Sequence, residues 1–239
     1  MPVPDWLEQL LPGHTAEAWE VLADILPADA YLGGGTGVAA HLQHRLSRDL
    51  DVFFATPPLL NELERALGER GPTHTTRKGH GTLDCVFGDT EVHLVDASHC
   101  HLIEPGDMVA GIRVAGLGDV MGMKLRAITD RGEHRDYLDL AAIELDGGRS
   151  TEEGMAYLVA RFGPENPSDA VSTVLFSLAH MGDLEDDPAL AVSIDELQGY
   201  WTERVPQITR HRVVRPPTSV GTAMTTARQK RRRTQTAKR

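Results

Sequence analysis

The spacing of apolar residues predicts two structurally different halves of the chain. Up to about residue 115, segments with helical periodicity alternate with short apolar or period-two runs, as in a domain that mixes helices and strands. The predicted elements of this half are helices at 16–26, 38–45 and 57–67 and strands at 30–32, 50–54, 83–87, 91–95 and 112–114. Gly88-Asp89 separates the predicted strands at 83–87 and 91–95, and this short connection predicts a hairpin.

From Leu117 onward the periodicity is helical throughout. The predicted helices are 117–129, 135–145, 151–162, 168–179 and 194–205, with Gly- or Pro-containing breaks between most of them. The pattern predicts an α/β domain at 1–115, a helical lobe at 116–215 and a basic, disordered tail at 216–239. A cleft between two such lobes is a common place for a ligand.

Composition narrows the class of protein. The 239 residues are 41% hydrophobic and 25% charged, which is typical of a soluble globular chain, and no apolar run approaches the roughly 20 residues that span a membrane. The N-terminus lacks the features of a signal peptide, and two cysteines, Cys85 and Cys100, do not make a disulfide framework. We therefore expect a cytoplasmic protein.

Charge is distributed unevenly. The chain has a net charge of −11, yet residues 228–239 hold seven Lys or Arg and no Asp or Glu. An acidic body with a basic arm is typical of proteins that bind nucleic acid, although a bare basic tail is as often only solvated.

The segment 32–54, LGGGTGVAAHLQHRLSRDLDVFF, carries the clearest chemistry. A predicted strand enters a run of glycines and a helix, an arrangement that lets backbone N–H groups approach a phosphate. Asp49 and Asp51 are two residues apart at the next strand, so both carboxylates project from one face. Such a pair favours a bound Mg²⁺ or Mn²⁺ that is shared with substrate phosphates. Either motif alone is more often an ordinary loop, but their order and the 13 residues between Gly35 and Asp49 match a nucleotidyltransferase site.

Three further groups near this segment have alternative interpretations. Asp96, at the end of a predicted strand, is a candidate third metal ligand or a turn residue. Ser47 lies in the loop before the aspartates, where phosphorylation would add about two negative charges and inactivate the site, unless it only caps the loop. His93, His99 and the His-Cys-His run at 99–101 do not have the spacing of a zinc site.

A second motif lies in the helical half, where Lys124 could reach the phosphates of an NTP as a mobile charge. On the next predicted helix, Asp139 flanks an apolar stripe and can face the cleft, whereas Asp136 is expected nearly opposite to it. We expect Lys124 and Asp139 to form an ion pair or a nucleotide clamp, with Asp136 less important. Without the first motif, Arg135, Asp136 and Asp139 would simply be a solvated charged face.

Together these motifs resemble the AbiEii/AbiGii-type nucleotidyltransferases, many of which are toxins of toxin–antitoxin or abortive-infection systems. The resemblance rests on Gly34-Gly35-Thr36, on HRLSRDLD at 44–51, on KLRAI at 124–128 and on RDYLDL at 135–140. It covers roughly residues 28–145, with Gly37-Val38 departing from the Ala-Leu that is more frequent in the family. It implies a polymerase β-like α+β fold with a mixed sheet, followed by a helical C-terminal lobe.

The resemblance also implies a mechanism and partners. Asp49 and Asp51 would hold the metal, and Gly34, Gly35, Thr36, Ser47 and Lys124 would contact the NTP. NMP would pass to an acceptor, with the 3′ end of tRNA as the first candidate and a cognate antitoxin as a partner. Arg204, Arg210, Arg212, Arg215 and the tail would contact the RNA. The alternatives are transfer to a protein hydroxyl, as in AMPylation, or to a small molecule, and a non-catalytic relative that binds a partner.

Overall fold

The structure, a computed structural model, describes residues 2–182 and 184–210. The predicted tail at 216–239, together with Arg212 and Arg215, lies outside the described residues. The described helices are α1 Asp5–Glu8, α2 Thr15–Ile25, α3 Gly34–Leu42, α4 Leu60–Arg70, α5 Leu117–Asp130, α6 His134–Leu145, α7 Thr151–Phe162, α8 Pro167–Ala179 and α9 Ile194–Arg210. The strands are β1 Ala30–Leu32, β2 Leu50–Phe54, β3 Thr73–Gly79, β4 Thr82–Phe87, β5 Thr90–Asp96, β6 Asp107–Val109 and β7 Ile112–Val114.

The strands form one mixed sheet in the order β3-β4-β5-β2-β1-β7-β6. β2 pairs parallel with β5, β1 pairs parallel with β7, and the other neighbours are antiparallel. β2 therefore lies in the interior of the sheet. Its alternating burial, with Leu50, Val52 and Phe54 fully buried, turns Asp51 and Phe53 to the opposite face.

Each face of the sheet has its own hydrophobic core. One core joins Val52 and Phe54 of β2 to Trp19 and Leu22 of α2 and to Leu67 of α4. The other joins Tyr31 of β1 and Val38 of α3 to residues of α5–α9 such as Leu125 and Trp201. The second core contains residues from both predicted halves, so the change from strands to helices near residue 115 does not interrupt the packing.

The α+β class with a mixed sheet and a helical C-terminal part is confirmed. The largest differences concern α3, which begins at Gly34 rather than near Val38, and α9, which extends to Arg210 rather than 205. β3 escaped individual prediction because its sequence, THTTRKG, is polar and its residues are mostly exposed at the edge of the sheet. None of the described helices is long and apolar enough to cross a membrane.

Candidate active site

The glycine turn between β1 and α3 lies directly against the carboxylate of Asp51. Gly34 has φ +59°, which favours glycine. A Cβ added to it would lie only 1.8 Å from Asp51 Oδ2, so no side chain fits there. The backbone N–H of Gly33 donates to the carbonyl of Asp51 at 2.9 Å. These contacts bring the predicted phosphate turn and the second aspartate together.

Asp51 is in an environment that disfavours an isolated negative charge. Burial raises the pKa of this carboxyl, and nearby Asp49 raises it further, while His93 and Lys124 act in the opposite direction. Within the described part of the chain, the Asp51 carboxylate makes no hydrogen bond or ion pair with another side chain. An unpartnered carboxylate of this kind favours a bound cation.

Asp49 lies immediately before β2, and two contacts hold it in place. Thr36 Oγ1 donates to the main-chain carbonyl of Asp49 at 2.5 Å. Arg135 Nη1 donates to Asp49 Oδ2 at 2.8 Å, with both side chains partly exposed. Arg135 therefore places a positive charge against one of the two predicted metal-binding carboxylates.

Thr36 and Ser47, which are predicted to contact the nucleotide, are joined to each other through their hydroxyl groups. Both are buried, and their hydroxyl oxygens lie 2.7 Å apart in a hydrogen bond. Since Thr36 donates to Asp49, Ser47 is the donor in this bond. The contact of Thr36 and Ser47 with the NTP therefore stays a prediction, and in the free protein their hydroxyl groups bind each other and the main chain of Asp49. Phosphorylation of Ser47 stays a prediction, on a residue that is 5% exposed in the folded protein.

Lys124, Asp136 and Asp139 form a buried ion cluster. Lys124 Nζ lies 2.8 Å from Asp136 Oδ1 and 2.7 Å from Asp139 Oδ2, and all three side chains are at most 4% exposed. Burial alone would lower the pKa of Lys124, but the two carboxylates outweigh it and raise the pKa. Burial would likewise raise the pKa of both aspartates, yet their cationic partners hold the pKa of each below its usual range.

The predicted Lys124–Asp139 ion pair is present, but the prediction for Asp136 was wrong. Asp136 was expected nearly opposite Asp139 on α6, whereas residues at i and i+3 share one helix face and both contact Lys124. With two carboxylates already bound, Lys124 is not a mobile charge that is free to reach into a cleft.

The second motif is connected to the first through Asp139. Arg45 binds this carboxylate with two hydrogen bonds, Nε to Oδ1 at 2.6 Å and Nη2 to Oδ2 at 2.8 Å. His44 Nε2 lies 2.8 Å from Asp139 Oδ1. A bidentate arginine is a strong and directional partner. The loop that carries Asp49 is thus joined to α6 through Asp139, and through Asp139 and Lys124 to α5.

His93, and not Asp96, is the neighbour of Asp51 in the sheet. The register pairs Asp51 with His93 and places Asp96 beside Phe54, three residues along β5 and roughly 10 Å away at 3.3 Å per residue. The carboxylate of Asp96 instead accepts from the backbone N–H of Ser98 at 2.9 Å. The placement of Asp96 is thus that of a turn residue.

In the sequence, His93 is a candidate only for a zinc site, and its spacing does not fit one. Its Nδ1 lies 3.2 Å from Asp84 Oδ1 on β4, which orients the ring beside Asp51. His93 lies two residues after Glu91 in a strand of period two, so the sequence pattern places both side chains on the same face of that strand. Among the described residues, no group of three or more His, Cys, Asp or Glu side chains has the arrangement of a metal site.

Arg204 was predicted to contact RNA, and this prediction is wrong for the described structure. Its guanidinium is bound to Glu144 at 2.7 Å and to Glu152 at 2.5 Å, and its side chain is only 17% exposed. Arg204 therefore joins α9 to α6 and α7. Arg210 is exposed at the end of α9.

Comparison with solved structures identifies the fold. The chain resembles MenT4, a nucleotidyltransferase toxin from Mycobacterium tuberculosis, with a TM-score of 0.54, 15% identity and coverage of 81% of this chain and 82% of that one. It also resembles a protein from H. pylori described as belonging to the nucleotidyltransferases, with a TM-score of 0.51, 16% identity and coverage of 86% and 94%. At these identities the likeness concerns the fold, which is that of the nucleotidyltransferases. No curated protein matches the sequence.

A family comparison of the sequence itself gives the assignment. The model of the family described as nucleotidyl transferase AbiEii toxin, type IV toxin–antitoxin system, matches residues 72–212, more than half of the chain. The match includes Lys124, Asp136 and Asp139 and begins after Asp51. The glycine turn and the aspartate pair complete the same fold on the N-terminal side. The chain therefore belongs to the AbiEii family of nucleotidyl transferase toxins.

Proposed function

We propose that this enzyme transfers a nucleoside monophosphate from an NTP to the 3′ end of tRNA, with Mg²⁺ or Mn²⁺ held by Asp49 and Asp51. The observation that supports this most is the carboxylate of Asp51, which is partly buried, makes no hydrogen bond or ion pair with another described side chain and lies against the glycine turn at the start of α3. Carboxylate, backbone N–H groups and a nearby second carboxylate are the parts that nucleotidyl transfer requires.

The residues present fit a divalent cation that is completed by substrate. Mg²⁺ in phosphoryl-transfer sites is often bound by one or two carboxylates together with substrate phosphates. The structure offers Asp49 and Asp51 and no third carboxylate beside them among the described residues. When bound, the cation would neutralise phosphate oxygens of the NTP and activate the attacking oxygen.

The phosphates of the NTP find their other contacts in the glycine turn. The first N–H groups of a helix have no acceptor within the helix, and Gly33 at the N-cap of α3 supplies no side-chain acceptor either. These N–H groups and the helix dipole favour a phosphate at this place. Gly34 and Gly35 allow its close approach. Thr36 holds the main chain of Asp49 in place through its hydrogen bond to the carbonyl of this residue.

In this proposal, Arg135 exchanges the Asp49 carboxylate for the substrate phosphates when the NTP binds. It neutralises Asp49 in the free protein, and its partial exposure leaves it able to turn toward the phosphates. Lys124, Asp136 and Asp139 act as positioning residues, because they lie beneath the site and hold the loop and α6 together. The positive charge of Lys124 also favours the ionised form of Asp51.

RNA is the acceptor that best fits the charge of the chain. Seven basic residues without an acidic one lie at 228–239, in a chain whose net charge is −11. Attraction to phosphates dominates the binding of nucleic acids and weakens steeply with salt. The exposed cations Arg126 and Arg131 lie on the same side of the protein as Asp51. An antitoxin partner follows from the family.

The test is transfer of label from each α-³²P NTP in the presence of Mg²⁺ and total tRNA, with EDTA and an Asp49→Ala variant as controls. The proposal requires label in tRNA that disappears in both controls. Label on protein or on a small molecule would refute RNA as the acceptor. Transfer that persists in EDTA would refute the metal.

A further inference from the structure

A pocket of about 320 Å³ opens beside the candidate active site, and its apolar walls contain none of the residues assigned to the metal or to the phosphates. It lies between the ends of β2 and β5 on one side and α5 and the end of α7 on the other. Its walls are largely apolar, and its rim carries the exposed charged residues Arg126, Asp130 and Arg131. The principal apolar residues of the wall are Phe53, Val95, Met123 and Phe162.

The pocket is continuous with the glycine turn. Phe53 is two residues after Asp51 and shares its face of β2. A Cβ added to Gly33 would lie 2.9 Å from both Met123 Sδ and Phe53 Cε2, so these two wall residues border the first glycine of the turn. A molecule whose phosphates lie at the turn therefore has this pocket within the length of one nucleoside.

The aromatic walls are held rigidly by a stacked row of side chains. Phe53 stacks on Tyr31 with centroids 5.7 Å apart. The buried guanidinium of Arg161 lies 5.4 Å from the centre of the Tyr31 ring and 5.5 Å from that of Phe162. It is fixed by hydrogen bonds to Tyr31 Oη and to the carbonyl of His101. Two half-buried phenylalanine rings thus line a space whose shape is set in advance.

We infer that this pocket receives the nucleobase of the donor NTP. The inference rests on the proposed function and adds to it the residues that hold the base. A base is planar and apolar on its faces, which suits stacking against aromatic walls, and polar at its edges, which suits the charged rim. The donor is favoured over the acceptor because the walls border Gly33 in the phosphate turn. His93 on β5 and Asp84 on β4 lie on the other side of Asp51 in the sheet, away from this turn.

Binding measurements on the full chain separate the base from the phosphates. We would measure the Kd of each NTP and of inorganic tripolyphosphate, in Mg²⁺, for Phe162→Leu and Met123→Ala. Loss of a stacking or wall contact weakens NTP binding by roughly tenfold. Tripolyphosphate has no base, and its Kd is expected to stay unchanged. Phe176→Leu is the matched control, because Phe176 is 61% exposed on α8 and outside the pocket.

Each outcome decides between specific alternatives. An unchanged Kd for every NTP would overturn the inference, and a raised KM for tRNA in the same variants would assign the pocket to the acceptor instead. Equal weakening of NTP and tripolyphosphate would overturn it as well, because the wall would then act on the phosphates. If the unaltered protein binds neither NTP nor tripolyphosphate, the proposed function fails first, and the inference falls with it.

An NMR measurement tests the same contact without relying on a destabilising change. In protein labelled with ¹³C-methyl methionine, the Met123 signal is assigned by its loss in Met123→Leu. The ring current of a base in the pocket would shift this signal on addition of NTP, and tripolyphosphate would leave it in place. A Met123 signal that responds identically to both ligands would contradict the inference.

Discussion

Replacement of Lys124 by methionine tests whether the buried ion cluster holds the site together. The change keeps the length and apolar stem of the side chain but removes its charge, which leaves Asp136 and Asp139 fully buried without their shared partner. Removing one member of a buried ion pair typically costs about 3–5 kcal/mol of unfolding free energy. Asp139 keeps Arg45 and His44, and Asp136 keeps Arg131, so we expect a loss of about 3 kcal/mol, at the lower end of that range.

The assay is urea unfolding of the full chain, followed by the fluorescence of the buried Trp19 and Trp201. Lys78→Met provides a matched control, because Lys78 also pairs with a carboxylate, Glu64, but its side chain is 44% exposed. An exposed pair of this kind contributes at most about 1 kcal/mol. Adding Asp136→Asn to Lys124→Met removes a charge left without its partner and should restore part of the loss. A cost for Lys124→Met no greater than that for Lys78→Met would refute the structural role of the cluster.

Three further predictions follow from individual contacts. Gly34→Ala should lower the rate of transfer by about 100-fold or more, because its Cβ would displace the Asp51 carboxylate. Gly148→Ala is the control, since Gly148 also has a positive φ, +63°, but nothing lies within 4 Å of its added Cβ, and the rate should stay unchanged. Equal losses of rate in the two variants would contradict the explanation. Since the folded-state pKa of Asp139 lies below its unfolded value near 3.9, its stabilising effect is complete well above that value and is lost as pH falls through and below it. Asp139→Asn should therefore flatten the decline of stability between about pH 5 and 3 in urea titrations, by up to about 1.4 kcal/mol per pH unit, and an unaltered slope would count against this account. Arg135→Gln should tighten the binding of Mg²⁺ in the absence of NTP by up to about fivefold, as expected for the loss of a partly exposed ion pair on Asp49, whereas weaker binding would show that Arg135 does not compete with the metal.

The sequence predicted those parts of the fold whose signals are local. β2 and β5 are recognisable because apolar residues alternate within them, and α4 is recognisable by its apolar stripe, although it runs from Leu60 to Arg70 and not from 57 to 67. β3 has no such signal, since its side chains are polar and its place in the sheet depends on pairing with β4. The predicted helix at 194–205 is shorter than α9, which continues past Pro206 to Arg210.

The parts of the candidate site that lie close together in the sequence were predictable, and the contacts between distant residues were not. The glycine turn and the aspartate pair lie within 18 residues of one another, from Gly34 to Asp51, and their spacing alone brought them together. The hydrogen bonds from His44 and Arg45 to Asp139 span 95 and 94 residues, and no local pattern specifies them. The hydrogen bond between the hydroxyl groups of Thr36 and Ser47 was not predictable either, because no local pattern shows that the folded chain brings these two residues together.

In the proposed reaction, nucleotidyl transfer depends on the carboxylate of Asp51 at the glycine turn. The most direct measurement is the initial rate of transfer from an α-³²P NTP by Asp51→Asn, beside Asp96→Asn as the matched carboxylate on the neighbouring strand. We expect loss of nearly all activity in Asp51→Asn, with its fold intact by circular dichroism, and a nearly unaltered rate in Asp96→Asn. Full activity in Asp51→Asn, or an equal loss in Asp96→Asn, would contradict this proposal.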